Sequence, residues 1–142
     1  MWATRFYKDN YEREGIMAWE GIQQTFSANA AADLSNDQFY AVAYDTNGNL
    51  NLAAAGKNMD GILQSKPKLA ESALFCKDGY SKAAITSGVA VTIDQLLQVD
   101  AGGTFTPVST GTAVAKALGA VAAGGSTIAY ITVEILRSNA GF

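Results

Sequence analysis

Asp94 and Asp100 are the two carboxylates from which an acid–base reading of this sequence has to start. A pair of acids in different environments can divide into a proton donor and a base, as glycoside hydrolysis requires. Each of these stands beside a separate turn, which is a poor start for a paired site. The chain contains no histidine. That removes Ser-His-Asp and Cys-His catalysis, the commonest zinc ligation and the usual general base at neutral pH. Asp45-Thr46-Asn47-Gly48-Asn49 places oxygen side chains at alternate positions, like the opening of a calcium loop. Such a loop needs Gly at its sixth position and a bidentate Glu at its twelfth, where this chain has Leu50 and Gly56. The segment therefore reads as a hairpin, with Asn47-Gly48 supplying a type I′ turn. Gly119, Gly124 and Gly125 lack the strand-then-helix setting of a phosphate cradle and read as turn residues. The single cysteine, Cys76, cannot form an intrachain disulfide and fits a chain made in a reducing cytoplasm. Beside Leu74 and Phe75 it is expected to be a small packed residue. The expectation is a protein that is not an enzyme, with no catalytic residue, no metal and no cofactor.

The chemistry that remains is that of contact. The first twenty residues hold seven of the 23 charged residues and five of the 14 aromatic ones. Gly15 and Gly21 interrupt any helix there, and neither a 3.6 nor a 2.0 period persists. Residues 1–20 are therefore expected to form an extended N-terminal arm. Its Trp2, Phe6, Tyr7, Tyr11 and Trp19 would be apolar anchors, and Arg5 and Arg13 orienting charges, because aromatic and Arg content marks interface anchors. In the plainer alternative, Trp2 and Trp19 close the bottom of a barrel. A formal net charge of −3 and a pI near 4.8 argue against binding to a phosphate backbone, so no nucleic-acid partner is expected. No apolar run reaches the roughly 18 to 20 residues that span a bilayer, and no signal-like start precedes the arm, so no membrane partner is expected either.

These contact residues need a scaffold, and the remainder of the chain reads as one. At 142 residues the length suits one domain. Residues 21–136 show short strands separated by turn signals, the pattern of an all-β barrel or sandwich of short antiparallel strands, with residues 137–142 as a C-terminal tail. Residues 38–45 read as a strand with Phe39, Ala41 and Ala43 on one face and Tyr40, Val42 and Tyr44 on the other. The chain returns through residues 49–53. Further strands are expected at 60–64, 72–77, 80–86, 95–99, 104–108 and 113–121, with residues 91–97 alternatively a helical turn. Asp78-Gly79, Ser87-Gly88, Ala101-Gly102-Gly103 and Gly124-Gly125-Ser126 read as turns. The clearest strand is 127–136, whose Ala129, Ile131, Val133 and Ile135 make an apolar face.

Four passages in order, residues 34–48, 60–67, 79–88 and 116–125, the last leading into 128–133, resemble the capsid cement (decoration) proteins of tailed bacteriophages. They begin Leu34-Ser35-Asn36-Asp37-Gln38-Phe39, Asp60-Gly61-Ile62-Leu63-Gln64, Gly79-Tyr80-Ser81-Lys82 and Lys116-Ala117-Leu118-Gly119. The chain departs from the pattern at Val89-Ala90, at Ala120-Val121-Ala122-Ala123, and in the stretch from Trp2 to Glu20. The resemblance implies a virion protein on the outer surface of the capsid that binds the assembled head and ties major capsid protein subunits together. It also implies a homo-oligomer, a trimer in preference to a dimer. The alternative is a carbohydrate- or receptor-binding β module displayed on a virion, with Tyr40, Tyr44 and Tyr80 as exposed stacking residues.

Overall fold

The computed structural model describes residues 23–136. The arm residues Trp2, Arg5, Phe6, Tyr7, Tyr11, Arg13 and Trp19, and the tail 137–142, lie outside the described residues. The fold is all-β. Its strands are β1 (Gln23–Asn29), β2 (Ala41–Tyr44), β3 (Leu50–Leu52), β4 (Gly61–Leu63), β5 (Ser72–Ile85), β6 (Leu96–Val99), β7 (Phe105–Pro107), β8 (Ala115–Ala117) and β9 (Ala129–Ile135), with a 3₁₀ turn at Ala101–Gly103.

β5 organises the molecule. Its second half pairs with β9 from Gly79 to Ile85 and touches β7 in parallel at Ile85. From β7 the ladder runs through β6 and β8 to β9, which returns to β5 and closes a five-stranded barrel. Closure removes the free edges that an open sheet would expose. The first half of β5 pairs with β1 and with β4, and β4 leads on to β2 and β3. A parallel bridge from Ala30 to Leu50 then joins the end of β1 to β3.

Two apolar clusters result. Ile85, Leu97, Val99, Phe105, Ala115 and Val133 fill the barrel, and Ala41, Ile62 and Cys76 join them from outside the ring. Leu34, Val42, Leu50, Leu63, Ala73 and Phe75 form the second cluster. Successive residues of β2, β4 and β5 therefore point into different cores, which is why all three residues of β4 are buried. A strand buried on both faces reads as a continuous apolar run and not as an alternation.

Several expected elements change shape. Asp78-Gly79 is not a turn, and β5 runs straight through it as one strand of 14 residues. The pairing with β1 skips Lys77, a β-bulge, and Gly79 has φ 103°, so the glycine bends a strand that is changing partners. At Asn47-Gly48 the loop has three residues. Gly48 donates its N–H to the Asp45 carbonyl at 3.1 Å, and only Gly48 of the pair has positive φ, as in a type I turn followed by a left-handed glycine. Residues 91–97 form no helical turn: Val91 bridges to Val121, and β6 begins at Leu96. The long strand expected at 113–121 shrinks to β8 and that bridge. β9 keeps its expected face, with Val133 and Ile135 buried and Ala129 and Ile131 packed against the barrel core.

Candidate functional site: two aromatic surface features

The two carboxylates weighed as an acid pair, and set aside, do separate work. Asp100 caps the 3₁₀ turn by accepting from the Ala101 N–H at 2.8 Å, and it accepts from the Thr86 hydroxyl at 2.7 Å. Asp94 is exposed, with an oxygen 3.8 Å from Lys116 Nζ. The Asp45 carboxylate accepts from the N–H groups of Asn47 (2.8 Å) and Asn49 (3.0 Å), so it is used within its own turn. Cys76 is fully buried and donates to the Asp78 carbonyl at 3.2 Å. Burial pushes its thiol up, away from the reactive thiolate.

The first surface feature is a row of rings across β1, β5 and β2. Phe75 lies at the centre, fully buried. Phe26, its register partner on β1, stands 6.1 Å away between centroids and is 48% exposed. Tyr44 on β2 meets Phe75 edge-on at 5.8 Å and is 43% exposed. Gly61 makes the row possible: a Cβ there would lie 2.6 Å from a Phe75 ring carbon and 2.5 Å from the Cys76 carbonyl oxygen. Lys77 Nζ sits 5.6 Å from the Phe26 centroid, within reach of a cation–π attraction. Beside the row is a cleft of about 480 Å³ lined by residues including Gln24, Phe26, Met59, Asp60 and Ile135. Gln23 and Ile135 are both in register with Gly79, so the described chain enters and leaves at this cleft.

β1 itself is unusual. Of its seven residues only Ala28 is even half-buried, and it packs against the second cluster, so the strand is held mainly by its ladder to β5.

The second feature lies in the segment leading into β2. Phe39 has φ 73°, a left-handed conformation that costs a bulky residue about 1–3 kcal/mol. Its backbone is fixed on both sides, since its N–H donates to Leu63 O at 2.7 Å and its carbonyl accepts from Ala84 N–H at 3.1 Å. This break is why the expected strand 38–45 begins only at Ala41. The Phe39 ring meets Tyr130 of β9 edge-on at 6.0 Å, and Lys82 Nζ lies 5.7 Å from the Phe39 centroid. Of the three tyrosines proposed for stacking, only Tyr44 is exposed; Tyr40 and Tyr80 are half-buried. Desolvation, with Tyr130 and Asp37 nearby, raises the Tyr40 hydroxyl.

The fold has a solved counterpart. The crystal structure of the "head fiber gp8.5 N base in bacteriophage phi29" is similar over 85% of this chain and 100% of that one, with a TM-score of 0.62 and 16% sequence identity. No family model and no curated protein sequence matches the chain. At that identity the likeness is one of fold. Neither aromatic feature was marked by a motif in the sequence. Exposed Phe26 and Tyr130 become visible only when register sets them against Phe75 and Phe39.

Proposed function

We propose that this chain is a structural, non-catalytic protein of a tailed-phage head. It binds the outer surface of the assembled shell and cements neighbouring major capsid protein subunits. The observation that carries this reading is the fold likeness to the base of a phage head fiber, which covers the whole of that chain. The arrangement of β1 supports it. A strand exposed on both faces, next to half-exposed rings and to the point where the aromatic arm departs, is suited to being covered by another protein.

Affinity comes from repetition. In a homo-oligomer, a trimer before a dimer, the first contact makes the others effectively intramolecular and raises avidity by roughly 10² to 10⁴. A ligand that prefers the assembled shell to free subunits then stabilises the shell by mass action. The test is cosedimentation of the purified chain with undecorated heads of the parent phage, set beside a chain lacking residues 1–20. Saturable binding that raises the heat resistance of the heads is expected, with loss of binding on truncation. A folded full-length chain that leaves the heads bare would refute the reading.

A further inference from the structure

The cleft around Phe39 is built differently from the face beside β1. It has a volume of about 390 Å³, and its lining includes Phe39, Tyr130, Lys66, Lys82, Asn36 and Gln38, with no carboxylate. Tyr130 is 52% exposed, so about half of its surface is open to a ligand. Among the described residues neither Lys66 nor Lys82 is paired with a carboxylate. In a chain of net charge −3, these two ammonium groups make a local positive site. Gln38 donates its Nε2 to Gln64 O at 2.9 Å, which fixes the amide and leaves its carbonyl oxygen to accept.

We propose that this cleft binds an acidic oligosaccharide. Sugar rings present C–H faces to aromatic rings and hydroxyls to amides, and Tyr130 with Asn36 and Gln38 offers both. The two lysines select a carboxylate on the sugar by charge complementarity. An acidic peptide fits less well. Extended peptides bind by adding main-chain hydrogen bonds to a strand edge. Here the Phe39 N–H and carbonyl are already taken by Leu63 and Ala84, and Tyr130 is paired with Ala84 in the β9 ladder. The strained backbone at Phe39 is consistent with a ring held in place ahead of binding.

The experiment is a calorimetric titration of the full chain with four acidic oligosaccharides, tetragalacturonate, oligomannuronate, a hyaluronan tetrasaccharide and sialyllactose. Each is compared with its neutral counterpart, and a hexaglutamate peptide serves as the charge control. At least one acidic sugar is expected to bind saturably and at least about tenfold more tightly than its neutral form, a difference of the size carried by a few polar contacts. Tyr130→Ala should abolish that binding, while Tyr130→Phe retains it. Lys66→Gln with Lys82→Gln should erase the preference for the acid and its dependence on salt. Failure of all four sugars at millimolar concentration would overturn the proposal. So would equal binding of hexaglutamate, which would show a charged protein-docking patch, or binding unchanged by Tyr130→Ala. The Tyr130 variants are also run in the head cosedimentation, where they should bind as the parent chain does. Head binding and sugar binding can then fail separately.

Discussion

β4 and β1 both pair with the first half of β5, and different physics holds them there. All three residues of β4 are buried, with Ile62 in one core and Leu63 in the other. β1 is longer, makes seven register pairs with β5, and is exposed along nearly its whole length. Each ladder hydrogen bond contributes a net of only about 1 kcal/mol, and ordering a residue costs about as much. Burial therefore fixes β4, whereas β1 is close to balance in the free molecule. Among the described residues nothing covers this strand or its exposed rings, and under the proposed function the phage head would cover them.

Substitutions in the two strands test this contrast. Gly61→Ala in β4 should have the largest effect, because the new methyl meets the Cys76 carbonyl and the Phe75 ring. A loss of about 3 kcal/mol is expected in urea unfolding, at the upper end of what overpacking costs. Phe26→Ala in β1 removes a half-exposed ring and its pairing with Phe75. It should cost only about 1 kcal/mol and should weaken head binding more than folding. If Phe26→Ala destabilised the free chain as much as Gly61→Ala, β1 would belong to the core and the contrast would collapse.

The smallest effect comes from the loop between β1 and β2. Desolvation, and then Asp33, raises the Asp37 carboxyl. A raised acid contributes most to stability below its unfolded pKa, and that contribution is lost as pH rises through its folded value. Asp37→Asn is therefore expected to leave the melting temperature unchanged near pH 3 and to raise it at pH 7, by about a degree at most for a group that is only partly buried. A melting temperature that fell at pH 7 would show the ionised form to be favoured instead.

The all-β class and the face of β9 were legible because a strand with one wet side alternates. Ala129, Ile131, Val133 and Ile135 carry that period plainly. β4 and β2 do not alternate, since their neighbouring residues enter different cores, and no local pattern announces a second core. β1, Gln-Gln-Thr-Phe-Ser-Ala-Asn, was invisible as a strand for the opposite reason: only Phe26 and Ala28 touch the second cluster, too few apolar residues to mark a core side. Asp78-Gly79 carries the composition of a reversal but serves as a bend, because the choice between the two rests on β9, some fifty residues further on. The aromatic rows depend on that same long-range register. The arm anchors, by contrast, were read from composition alone and fall outside the described residues.

The meeting at Gly79 of the first and last strands of the described residues has a mechanical consequence. Tension applied between Gln23 and Ile135 enters the β1 and β9 ladders together at one residue of β5. The load crosses the strands, so it opens their hydrogen bonds one after another, as a zipper opens, and does not shear them all at once. A domain held from this corner resists pulling poorly if it is a link in series. It escapes the load altogether if both ends are fastened to the same rigid surface.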